Sequence, residues 1–188
     1  IASCLVGSEM CIRDRSRTGW TGELGYEIYT LGSKTNSQKL WDQLTLVGNS
    51  KGMIFSAMQS MNIRRIEAGI LDSGSDFDAT MTPFEAGLEK FIDFKNKDFI
   101  GRDALQSRGS TNLLFGVQAK EIIPMRGDQM YDDARQVGII TTGAWSPFLK
   151  HGIGYVRFEK PADWSGKMLT LKSKKSGNTT CQIIDLPF

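Results

Sequence analysis

The chain has 188 residues, 40% hydrophobic and 23% charged, room for one large or two small domains with cores of their own. A net charge of +2 gives no reason to expect a nucleic-acid or membrane partner, and no apolar run approaches the roughly 20 residues of a membrane helix. Three cysteines, Cys4, Cys11 and Cys181, odd in number and without metal-type spacing, argue against a disulfide scaffold or a zinc site; a reducing, cytoplasmic setting fits them.

Residues Ile1 to Arg15 are set aside as an unplaced, non-native flank, because SEMCIRDR resembles translated sequencing-adapter text and the chain does not begin with Met; the alternative is a native strand leading into Ser16. Tyr26-Glu27-Ile28-Tyr29-Thr30 is rich in strand formers and follows a turn containing Gly22 and Gly25. Residues 37–48 read as a helix, with Leu40, Leu44 and Val47 on one stripe. A second helix is expected over Ser56 to Ala68, with Ser56 as N-cap and Gly69 at its end. A polar loop at 72–82 follows, then Pro83-Phe84-Glu85 and the pattern DFIGRDAL at 98–105.

Ser107 to Asn112 is short, polar and turn-prone, the best linker in the chain. Beyond it, runs at 113–119, 137–142, 152–158, 168–172 and 180–186 have strand length and are separated by turn clusters. Several short strands at this spacing predict a small all-β barrel or sandwich.

Four motifs, in order, resemble the glycine-cleavage T-protein (aminomethyltransferase) family. They are RTGWTGELGYEIY at 17–29, RIEAGIL at 65–71 with Gly74 and Asp76, TPFEAGL at 82–88 with DFIGR at 98–102, and GIITTG at 138–143 with Ser146-Pro147 and Pro187-Phe188. Together they cover most of residues 16–188. The resemblance implies an α+β fold: the C-terminal part of a folate-binding domain over 16–107, then an all-β C-terminal barrel over 112–188. It also implies a missing N-terminal portion carrying the family's catalytic acid, so no catalytic residue is assigned, and no metal site is expected.

Glu27 is the main cofactor-binding candidate. A carboxylate can accept the paired N–H and amino donors of a reduced pterin in a fork, and the family places a folate-binding glutamate at this motif position. Period-2 geometry sets Glu27 and Tyr29 on one strand face, opposite Tyr26 and Ile28; the competing reading leaves Glu27 in solvent. Tyr29 either lines the pocket or packs as an ordinary half-buried aromatic. Trp20 offers a face that attracts sulfonium or ammonium cations, or else covers a domain edge. Gly19, Gly22 and Gly25 lead into a strand instead of opening a helix, so they read as a turn and not as a phosphate loop. Arg65 is a cofactor-binding candidate that meets a carboxylate of the folate tail or else a structural acid; the competing reading is a solvated helix position. Glu85 either lines the site or caps a helical turn. His151, the single histidine, reads as a loop residue, and Cys181 as a buried thiol.

The sequence departs from the family where Met61 and Asn62 replace an Arg-Asp pair whose arginine contacts bound ligand. With Trp20, this favours a folate-dependent demethylase of a sulfonium or methylated-amine compound over aminomethyl transfer from a lipoyl-carrier protein. A third possibility is a non-catalytic folate-binding module of a fused oxidoreductase. The cofactor implied in every case is tetrahydrofolate.

Overall fold

The computed structural model describes residues 10–95 and 99–188. They divide into two compact units between Met61 and Asn62, inside a helix. The first unit holds an antiparallel pair, β1 (Met10–Ser16) and β2 (Glu27–Thr35), then α1 (Ser37–Asn49) and the first turn of α2 (Met58–Glu67). Of the segment set aside as a flank, residues 1–9 lie outside the described residues, and the remainder lies in β1, with Arg15 opposite Ile28 and Ser16 opposite Glu27.

Helix α1 forms where the leucine stripe predicts it. Asn36 caps it, its Oδ1 accepting the Lys39 N–H at 2.9 Å. Helix α2 begins later than expected. Ser56 hydrogen-bonds the Ser60 hydroxyl, and the carbonyl of Ala57 accepts the first helical N–H groups, from Ser60 and Met61. Ser56 therefore sits one residue too early to be the N-cap.

The second unit starts with the end of α2. That end closes as a Schellman motif: Ile70 N–H donates to the Arg65 carbonyl and Gly69 N–H to that of Ile66, with Gly69 at φ +70°. The segment Thr82–Leu88 is one capped helical turn. Thr82 Oγ1 accepts from Glu85 N–H at 3.2 Å and Glu85 Oε2 accepts from Thr82 N–H at 2.6 Å, a reciprocal capping box. Glu85 thus takes its capping role, and its carbonyl accepts the Leu113 N–H that leads into the barrel. A 3-10 turn (Glu89–Phe91) and α3 (Arg102–Arg108) precede the linker.

The barrel is closed by β3 (Leu114–Ala119), β4 (Gln129–Asp132), β5 (Arg135–Ser146), β6 (His151–Phe158), β7 (Met168–Ser173) and β8 (Gly177–Ile184), in the order β3-β6-β5-β4-β7-β8. Val117, Met130, Ile140, Val156, Leu171 and Ile183 fill it. Strand β6 is buried on both faces. Val156 and Phe158 point inward, while Ile153 and Tyr155 pack with Ile66 and Leu114 in a second cluster outside the barrel wall. Gly143 and Gly154 face each other across β5 and β6, and a Cβ on Gly143 or Gly152 would lie 2.0 Å from the carbonyl oxygen of Pro124 or Ile122. The loop before β4 rests on bare backbone there. His151 opens β6 and is not a loop residue.

Candidate functional site

In the first unit, β2 keeps the alternation expected of it. Glu27 and Tyr29 share a face, and the Tyr29 hydroxyl donates to Glu27 Oε2 at 2.7 Å. Thr18, in the turn before the strand, donates its hydroxyl to the same oxygen at 2.5 Å. These two bonds, that of Thr18 first, hold the Glu27 carboxyl below its ordinary value. The side chain is exposed, as is Tyr29, and Trp20 is half-buried in the turn. Gly22 stands at φ +75°, the conformation for which the turn reading needed a glycine.

The geometry differs from an open two-oxygen fork. A carboxylate oxygen offers about two acceptor positions, and both on Oε2 are taken by protein hydroxyls. Oε1 is the oxygen left to a ligand. Thr18 escaped the sequence reading because it lies nine residues from Glu27. The hairpin register, Ser16 opposite Glu27, places Thr18 just past the paired end and could have found it.

Arg65 lies in the second unit and is 2% exposed, so the solvated reading does not hold. Its guanidinium pairs with Asp76, which is fully buried. It also donates to Thr142 Oγ1 at 2.9 Å, Asn62 Oδ1 at 2.9 Å and the Ile70 carbonyl at 3.2 Å. Asp76 accepts further bonds from Thr141 Oγ1 at 2.7 Å and Asp72 N–H at 2.8 Å. The Tyr155 hydroxyl lies 3.0 Å from the Ile66 carbonyl and 3.2 Å from those of Arg65 and Ile70. Burial pushes its phenol up, so it stays a donor. Glu67 accepts from Ser146 at 2.6 Å. These bonds bind the end of α2 to β5 and β6. Every partner seen on Arg65 is structural, and a buried charge this fully satisfied is a clamp by its chemistry.

A family model described as the GCVT N-terminal domain matches residues 9–96, and one described as the glycine cleavage T-protein C-terminal barrel domain matches residues 113–188. The chain belongs to the glycine cleavage T-protein family. Among curated relatives, an aminomethyltransferase of Halothermothrix orenii is 35% identical over 190 residues, covering 98% of this chain and 51% of the relative. One of Alkaliphilus oremlandii is 33% identical over 184 residues, covering 92% and 47%. The crystal structure of glycine cleavage system aminomethyltransferase T from Bartonella henselae superposes with a TM-score of 0.77 at 22% identity, over 99% of this chain and 55% of that one. That likeness supports the fold. The chain spans about half the length of the curated relatives it matches. The α+β architecture with its closed C-terminal barrel is the family's.

Proposed function

We propose that this chain is part of a tetrahydrofolate-dependent one-carbon transferase, in which Glu27 reads the pterin. The observation that carries the reading is the Glu27 carboxylate, kept ionised and aimed by two hydroxyl donors on a strand face shared with Tyr29. In this chain that face is exposed. In a polypeptide of the relatives' length, the part this chain does not span supplies the opposite wall and the catalytic acid. Tyr29 and Trp20 line the cofactor side. Folate N5 is itself the nucleophile, so positioning and charge neutralisation do most of the work. The carbon donor is an aminomethyl group on a lipoyl-carrier protein, and the setting is the cytoplasm.

Residues 61 and 62 favour a second reading. Met61 carries no charge, and the Asn62 side-chain Oδ1 accepts from Arg65, so this stretch of α2 lacks the family's arginine. A demethylase acting on a sulfonium or methylated-amine donor fits that surface. The test joins the part of the Halothermothrix orenii enzyme that this chain does not span to the whole 188-residue chain. Tetrahydrofolate titration should then give an affinity that Glu27→Ala lowers at least about ten-fold. Unchanged affinity would refute the pterin assignment. Turnover with lipoyl-bound aminomethyl or with an onium donor separates the two readings, and the 188-residue chain alone should show neither.

A further inference from the structure

Resting on the reading of Glu27 as the pterin-binding carboxylate, we infer that Thr18 is a positioning residue: its hydroxyl occupies Oε2 and turns Oε1 outward as the single oxygen that meets the ligand. Two donors converge on Oε2, from Thr18 at 2.5 Å and Tyr29 at 2.7 Å. They come from different segments. Tyr29 sits two residues along the same strand, so its bond moves with β2. Thr18 lies in the turn that follows β1, so its bond fixes the carboxylate relative to a second piece of backbone. That difference assigns Thr18 the larger part in setting direction. The Thr18 carbonyl lies 3.6 Å from where a Cβ on Gly25 would stand, and a Cβ on Gly19 would stand 3.7 Å from the Gly25 Cα. The turn is therefore folded back on the entry to β2, which keeps the Thr18 hydroxyl within reach.

No ion pair among the described residues involves Glu27, and Ser16 is its partner across the strand pair. The two hydroxyls are therefore the groups that set its charge state, and binding selectivity follows from them. With Oε2 filled by hydroxyl protons, the site favours a ligand presenting one strong N–H donor to Oε1.

The test uses the chain itself, with carbon-13 in the glutamate carboxyls and Glu27 assigned by its loss in Glu27→Gln. The Glu27 signal should titrate below the ordinary value of 4.5. Thr18→Val should move the midpoint up toward that value, and Thr18→Ser should restore it. A Thr18→Val midpoint equal to wild type overturns the inference, as does a shift that Thr18→Ser fails to rescue, since that would be lost folding and not a lost hydroxyl. In the joined polypeptide, Thr18→Val should weaken tetrahydrofolate about five-fold with rescue by Thr18→Ser. If Glu27→Gln leaves tetrahydrofolate affinity unchanged there, the pterin reading fails, and the carboxyl titration still decides whether Thr18 positions Glu27.

Discussion

A single buried acid illustrates how differently two carboxylates of this chain are used. Asp76 has no solvent access and holds the Arg65 guanidinium. Removing it strands a buried cation, so Asp76→Ala should cost about 3–5 kcal/mol, read as a lowered urea midpoint. Removing both partners should cost less than the sum of the single changes. Tyr155→Phe deprives the end of α2 of one donor and should cost about 1 kcal/mol. Glu27 is exposed, and its carboxyl lies below the ordinary range. Its contribution to stability is therefore complete above that range and is lost as pH falls through the depressed value. Tetrahydrofolate affinity in the joined polypeptide should accordingly be level across neutral pH and fall only in acid. A fall between pH 6 and 8 would mean another group controls binding. The Cys181 thiol is buried, and its pKa is pushed up to about 12. Iodoacetamide at about pH 8 should leave it unmodified until the barrel unfolds.

Among the elements, strands were legible where strand-length runs stand between turn clusters, as in β3, β6 and β7. Strand β4 was missed: Gln129–Asp132 is four residues long, and it follows the Arg126-Gly127-Asp128 turn. Strand β5 runs on to Ser146 because its glycines continue the ladder against β6, although Gly143-Ala144 carries no strand signal in composition. The end of α2 was legible through Gly69, whose role depends on neighbours in sequence; the Asn36 cap on α1 was not singled out. The clamp on α2 was not. Arg65 meets a partner 11 residues away in Asp76 and one 77 residues away in Thr142, and no local pattern links an arginine to a distant threonine. The face of Glu27 and Tyr29 could be read from period-2 geometry, but the occupancy of Oε2 depends on how the preceding turn folds. At Gly69, substitution by Ala forces a side chain into φ +70° and sets its Cβ 3.1 Å from Pro187 Cα. The strain should destabilise the second unit by about 1–2 kcal/mol.

The two units of the whole chain differ in how much they bury. The barrel unit holds nearly all the core. In the first unit Leu40 is the buried hydrophobic residue among those described, while Ile54 is 85% exposed and Phe55 76%. A two-stranded sheet beside one helix is marginal in water. Amide hydrogen exchange should therefore be fast along β2 and slow at Ile140 and Val156, with protection differing by orders of magnitude. Equal protection in β2 and β6 would contradict this. The family was legible as motifs, yet much of what those motifs build is architecture: a Schellman end, a capping box and a buried ion pair.

The bare-backbone contact between the loop before β4 and the β5–β6 wall carries a consequence for inheritance. Positions 143 and 152 have no room for even a methyl group against a neighbouring carbonyl, so the tolerated alphabet there is one letter long. Saturation mutagenesis scored for folded protein should show these two columns empty beside permissive neighbours such as Ile139, which is 44% exposed, although neither glycine touches any proposed ligand.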